Sequence, residues 1–298
     1  MSKVSRFLIF MAVAVSACGN SQSKDTELLI SNNELGNWEV FVLVPDSPIL
    51  HQVTHEAPHR PTPQSFVEGL DLEATWSPSG DRIALSSDRR DGYHLYVVDV
   101  NGVEQAQLTN KGEGSNGEPA WSPDGSQIAF RSDRTGDVEL FVMDVDGSNL
   151  RQLTQSPGED WTPTWSPDGS RIAFASRRYN GTWDIFSILP DGTGISQLTS
   201  DEWDNWLPDW SPDGTQIAYS SNREGNWDIF TMDLDGGSVL QVTDNTARDL
   251  EPVWSPDGTQ LSFASARGEP AGLKVFFVDL ESGEVSESGS PGFPTAWR

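Results

Sequence analysis

The ten residues "WSPDGSQIAF", Trp121 to Phe130, read as the end of one strand, a tight turn and the start of a second strand. The first five letters return at Trp165, Trp210 and Trp254, and "WSPSG" at Trp76 is a near copy. Aligned on this tryptophan, the chain runs Trp76, Trp121, Trp165, Trp210, Trp254 and Trp297, at intervals of 45, 44, 45, 44 and 43 residues. Repeats of this length, built from several short strands, describe a β-propeller.

Outward from the turn, each unit reads as four strands. A short first strand ends at the Trp, as in "EPAW". In Ser-Pro-Asp-Gly, Pro presets φ for the second turn position and Gly accepts positive φ at the last. The second strand, such as "QIAFRS", is followed by a polar hairpin and a third strand, "ELFVMDV", rich in β-branched and aromatic residues. Asp-Gly or Asn-Gly turns into the fourth strand, and Leu-Thr or Val-Thr closes the unit at Leu108, Leu153, Leu198 and Val242. No segment carries helical periodicity.

The two ends complete one another. Residues 28–54 match strands two to four of a unit, and "GFPTAWR" at the C-terminus supplies a Trp strand with nothing after it. The fold expected is all-β: a six-bladed propeller over 28–298, each blade four antiparallel strands. Blade one is split between 28–54 and 293–298. Pairing the termini removes the sheet edges that otherwise invite aggregation.

The stretch "PAWSPDGSQIAFRSDRTGDVELFVMDVDGSNLRQLT" resembles the repeat of TolB-type propellers, and the similarity covers nearly all of 28–298. That resemblance implies the propeller fold and says little about activity. TolB itself carries an α/β domain before its propeller. Here the first blade follows directly on a polar segment, so contacts made by that domain are not implied.

The first residues are set apart. Lys3 and Arg6 precede the apolar run "FLIFMAVAV", and "VSAC" ends at Cys18. A basic start, a short apolar core and small residues at the cleavage point describe an export signal over 1–17. The run falls short of the roughly 20 apolar residues that span a bilayer. "VSAC" resembles the bacterial lipobox, which implies acylation of Cys18. Residues 18–27 then form a lipidated tether that is small and polar. Gly19 in the next position implies outer-membrane sorting, with the propeller facing the periplasm.

The chain holds 45 acidic and 19 basic residues, a net charge of −26; without Lys3 and Arg6 the charge becomes −28. Such a surface repels nucleic acid and anionic headgroups and suits basic partners. Twelve Trp and 36% hydrophobic residues exclude a disordered acidic chain. With Cys18 the only cysteine, stability must come from packing.

Strand direction alternates, so the hairpins between strands two and three share one face with the connections between blades. The Ser-Pro-Asp-Gly and Asp-Gly turns share the other. The turn face is nearly uniform and the loop face varies, which points to binding on the loop face. Five residues before the repeated Trp stand Asp71, Asn116, Asp160, Asn205, Asp249 and Gly292; three before it stand Glu73, Glu118, Thr162, Leu207, Glu251 and Pro294. Asp71, Glu73, Glu118, Asp160, Asp249 and Glu251 could converge on Ca²⁺, or could cap backbone N–H groups. Trp161, Trp203 and Trp206 lie outside the repeated position. With Asp160 and Asn205 they form a candidate surface for a protein partner or for stacking on an oligosaccharide, the alternative being plugs between blades. Trp183 and Trp227, in the hairpins, read as cross-strand packing.

Arg89, Arg134, Arg178, Arg223 and Arg267 recur at one hairpin position. Cross-strand ion pairs with Glu139, Asp184 and Asp228 are expected for three of them. "HEAPH" matches a zinc-peptidase pattern at His55 and His59, with His51 as a third ligand, but Pro58 opposes the helix that the motif needs. "GEGSNG" (Gly112, Gly114, Gly117) joins two strands, not a strand and a helix, and so lacks the context for dinucleotide binding. No Gly-x-Ser-x-Gly occurs. The sequence therefore suggests a non-enzymatic binding scaffold in the cell envelope. A metal-dependent or carbohydrate-active propeller and a calcium-stabilised structural ring are the alternatives.

Overall fold

A computed structural model describes residues 27–32, 38–43, 50–54, 71–90, 92–110, 112–179, 181–267 and 272–298. Blade one holds β1 (Leu28–Asn32), β2 (Glu39–Leu43) and β3 (Leu50–Gln52). Blade two is β4 (Asp71–Trp76), β5 (Arg82–Ser87), β6 (His94–Asp99) and β7 (Glu104–Gln107). Blade three follows as β8 (Asn116–Trp121), β9 (Gln127–Ser132), β10 (Glu139–Asp144) and β11 (Arg151–Gln152). Blade four is β12 (Asp160–Trp165), β13 (Ile172–Ser176), β14 (Asp184–Ile188) and β15 (Ser196–Gln197). Blade five is β16 (Asn205–Trp210), β17 (Gln216–Ser221), β18 (Asp228–Asp233) and β19 (Leu240–Gln241). Blade six is β20 (Asp249–Trp254), β21 (Gln260–Ser265), β22 (Lys274–Asp279) and β23 (Val285–Pro291), after which β24 (Phe293–Trp297) returns to blade one.

Each blade is an antiparallel four-stranded sheet, and blade one runs in the order β24-β1-β2-β3. Leu28 pairs with Trp297 and Leu29 with Ala296, the register that Ile83 and Trp76 adopt in blade two. The first strands touch in turn around the axis, from β4 through β8, β12, β16 and β20 to β24 and back to β4. The ring is closed, as the split termini predict.

The repeated turn does two jobs. In blade three, Gly125 sits at φ 72° and donates its N–H to the Ser122 carbonyl at 2.8 Å. Ser122 Oγ donates to Asp124 at 2.6 Å and accepts the Gln127 N–H at 2.9 Å. A Cβ on Gly125 would stand 3.7 Å from Pro78 of the preceding turn, so successive turns nest Pro against Gly around one face. The tryptophans before the turns are buried. Trp165 donates its indole N–H to the Ala120 carbonyl of the preceding blade at 3.1 Å, and Trp210 does the same to Thr164 at 3.2 Å. At about 25 cal/mol/Å² over the roughly 150–250 Å² that an aromatic side chain buries, each Trp contributes roughly 4–6 kcal/mol before entropy. The closing Thr is also structural. Its Oγ1 accepts the N–H that opens strand three, as with Thr154 and Leu140 at 2.9 Å, and donates to Glu139 at 2.6 Å.

One regular feature is absent from the sequence signal. Glu73, Glu118, Thr162, Leu207 and Glu251 all adopt positive φ, between 54° and 60°. The ladder between strands one and two skips at this point in each of these blades. A bulge of this kind turns one backbone N–H out of the ladder and costs an estimated 1–3 kcal/mol per non-glycine residue. For three of these five residues the neighbouring blade supplies the partner. Glu118 donates its N–H to Glu73 Oε2 at 2.6 Å, Thr162 to Glu118 Oε2 at 2.5 Å, and Glu251 to Ser220 Oγ at 3.1 Å.

Candidate functional site

The carboxylates around the axis divide into two structural sets. Glu73 and Glu118 take up bulge N–H groups of the next blade and also flank Arg131 of β9. The guanidinium lies 3.1 Å from Glu118 and 3.6 Å from Glu73. Its other side rests on the Trp161 ring, with Cζ 4.3 Å from the centroid. Burial pushes the Glu118 carboxyl up to about 7, with the Arg131 charge opposing and Glu73 adding to the rise. Glu73 is likewise raised by burial, against Arg131. Gly117 makes room for this triad, since a Cβ there would come within 2.7 Å of Glu73 and 2.8 Å of Arg131. Of the "GEGSNG" glycines, Gly114 and Gly117 are both required by close packing, whereas a Cβ on Gly112 would meet nothing within 4 Å.

The second set meets the hairpin arginines, which corrects the expected ion pairs across strands two and three. Arg178 Nη2 reaches Asp160 at 2.8 Å and Arg267 reaches Asp249 at 2.5 Å. Arg134 and Arg223 donate to the Oδ1 of Asn116 and Asn205 at 2.7 and 3.1 Å. Three of the four Nε groups donate to a strand-two serine: Ser132, Ser176 and Ser221. The Arg178 guanidinium lies 4.9 Å from the Phe186 ring centroid, and that of Arg223 4.7 Å from Phe230. The hairpin thus clips back to the start of strand one. Strand three offers these guanidinium groups an aromatic ring.

The six residues considered as calcium ligands are therefore distributed. Glu73 and Glu118 hold Arg131, and Asp160 and Asp249 hold Arg178 and Arg267. Glu251 takes its bulge contact in blade six, and Asp71 opens β4 with its side chain outside the described residues. Among the described residues, no group of three or more His, Cys, Asp and Glu is placed to hold a metal. His51 is exposed on β3; His55 and His59 lie outside the described residues, as does Cys18.

The extra tryptophans separate. Trp206 is buried and stacks on Trp183 of the preceding blade, centroids 5.1 Å apart and planes within 8°. Trp161 meets the Trp183 edge at 6.3 Å, and Arg177 covers the same indole at 4.4 Å. Arg131, Trp161, Trp183 and Trp206 thus form one ladder across blades three to five. Trp183 packs between blades, a correction to the cross-strand expectation, while Trp227 is half-buried against the same cluster. Asp160 and Asn205 are fully buried under their arginines, so neither presents the exposed face that the sequence suggested. Trp203 is different. It is 45% exposed on the loop face, and Tyr179, which the sequence reading passed over, is 65% exposed in the blade-four hairpin. Asp201, Glu202 and Asp204 adjoin the free indole. The arrangement can offer an aromatic anchor with an acidic surround to a partner.

The closed ring of six four-stranded blades defines the molecule as a six-bladed β-propeller. The profile described as "TolB beta propeller domain" matches residues 49–138, 111–206 and 199–292, and the chain belongs to that family. Among solved structures it is similar to TolB from Acinetobacter baumannii, with TM-score 0.73 and 22% identity over 91% of this chain and 66% of that one. It is also similar to a putative TolB from Agrobacterium tumefaciens, with TM-score 0.68 and 23% identity over 92% of each chain. An oligogalacturonate lyase in complex with manganese matches at TM-score 0.60 and 18% identity, over 88% of this chain and 73% of that one. These likenesses concern the fold. No curated protein matches the chain.

Proposed function

We propose that this chain is a lipid-anchored protein of the bacterial envelope whose propeller is a scaffold for a protein partner, engaged on the loop face. The observation that carries the reading is Trp203, a large indole left 45% exposed in an acidic loop of a rigid ring. Its sequence neighbour Trp206, in β16, is by contrast buried against Trp183. Partner contacts concentrate in aromatic side chains, so an indole left outside the packing is a candidate anchor. The lipobox at Cys18 supports the anchor, and Gly19 supports the outer membrane.

A photo-crosslinking residue at position 203 should capture a discrete partner in cells, and the same residue at Ser148, on the turn face, should not. Trp203→Ala should abolish capture from a probe at Tyr179. Equal capture from Ser148 and from position 203 would refute the placement. The exposed indole equally supports stacking on an oligosaccharide. Quenching of Trp203 emission by a glycan panel, absent in Trp203→Phe, would favour that second reading.

A further inference from the structure

We propose that the turn face is held against the bilayer and the loop face is directed away from it, an inference that rests on the reading of Cys18 as the anchor. The observation is where the chain enters the ring. Glu27 and Arg298 exchange backbone hydrogen bonds at 3.2 and 2.8 Å, and their side chains form an ion pair. Arg298 lies over the Trp76 ring at 4.0 Å and donates to the Gly80 carbonyl. Gly80 ends the Ser-Pro-Ser-Gly turn of blade two, so residue 27 is fixed on the turn face.

Between Cys18 and Glu27 lie eight residues, "GNSQSKDT". Eight residues reach at most about 28 Å. A six-residue blade strand is itself roughly 20 Å tall. The turn face, where residue 27 enters the ring, is therefore the face nearer an anchor at Cys18. Presenting the loop face to the bilayer would need a nearly straight tether that also rounds the ring.

The surface chemistry divides along the same line. Every exposed large aliphatic among the described residues lies in the connection from strand three to strand four or, for Leu240 and Val285, on the first residue of strand four, at the turn-face end. Val103, Leu150, Ile195, Leu240 and Val285 place at least one in each of blades two to six, with Leu240 64% exposed. The two exposed aromatics, Tyr179 and Trp203, lie on the loop face. Asp124, Asp168 and Asp213 on the turns oppose anionic headgroups, so attachment comes from the acyl chains while the aliphatic rim meets the interface.

The test uses full-length acylated protein in phosphatidylcholine vesicles that carry a headgroup quencher. Acylated Cys18 offers no thiol, so Ser148→Cys on the turn face or Thr135→Cys on the loop face provides a single labelling site in the same blade. Both positions are exposed. Quenching of the Ser148→Cys label at least about threefold stronger than that of the Thr135→Cys label is expected. Equal quenching, or stronger quenching at position 135, overturns the orientation while the anchor stands. Failure of the acylated chain to float with vesicles overturns the anchor, and the orientation with it.

Discussion

Asp209→Asn should make the protein more stable at pH 8 and leave it nearly unchanged at pH 4. Asp209 precedes the repeated Trp of blade five and is 2% exposed. Its Oδ2 accepts the Trp254 N–H of blade six at 2.9 Å, and its Oδ1 is buried without a hydrogen-bond partner. Burial pushes this carboxyl from 3.8 up to about 7, against the N–H groups of Trp254 and Trp210 and the Thr164 hydroxyl. Because the folded value is the higher one, the contribution to stability is intact below about pH 4. It is lost progressively as the pH rises to about 7, where the folded protein must release a proton that the unfolded chain has already lost. At about 1.4 kcal/mol per pH unit, the loss reaches on the order of 4 kcal/mol. Asn cannot ionise and its Oδ1 can keep the Trp254 bond; an imperfect amide contact costs about 1 kcal/mol. The net gain at pH 8 is roughly 2–3 kcal/mol, a rise in Tm of about 4–8 °C. Thermal melts of both proteins by circular dichroism at pH 4 and pH 8 read this directly. A variant that melts at or below the parent at pH 8, or that differs equally at both pH values, would refute the reasoning.

Arg131→Met leaves Glu73 and Glu118 buried without their cation, which should cost about 3–5 kcal/mol at pH 8. Because both carboxyls are raised by burial, part of that loss should be recovered at pH 5, as paired melts will show. Trp206→Ala removes a stacked, buried indole and should cost about 3–5 kcal/mol in chemical denaturation, whereas Trp203→Ala should stay within about 0.5 kcal/mol while losing partner capture. Gly236→Ala places a Cβ 2.1 Å from the Leu198 carbonyl oxygen at φ 79°, and should abolish soluble folded protein. Gly136→Ala meets nothing within 4 Å and should cost only the backbone strain of its positive φ, about 1–2 kcal/mol.

The strand order and ring closure were legible because the repeated Trp, the Pro-Asp-Gly turn and the alternating strands each carry a local signal. The bulge at Glu73, Glu118, Thr162, Leu207 and Glu251 was not. Positive φ is announced by glycine or asparagine, and here the site is held by Glu, Thr and Leu, three different chemistries. The arginines were misread because each lies beyond the end of strand two and folds back over its last serine, toward strand one. Counting along a flat hairpin puts Arg178 beside Asp184, whereas the structure places its guanidinium on Asp160, at the start of strand one. The buried triad did leave a trace. At the strand-two position of Arg131 the other blades carry Ser31, Ser86, Ala175, Ser220 and Ala264, so a lone arginine in that row signals a local acidic partner. Exposure could not be counted from spacing alone. Trp203 stands in the acidic loop and Trp206, three residues on, already belongs to β16, whose register sends it inward.

Removal of residues 293–298 is the most direct test of the closed ring. It deletes β24, the Trp297 indole that donates to Ser262 at 3.1 Å, and the Arg298 contacts with Glu27, Trp76 and Gly80. The loss of the buried Trp alone costs about 3–5 kcal/mol. A ring zipped at this point should therefore melt at least about 10 °C lower or lose its cooperative transition. A shortened chain that melts cooperatively at the parent temperature would contradict the account.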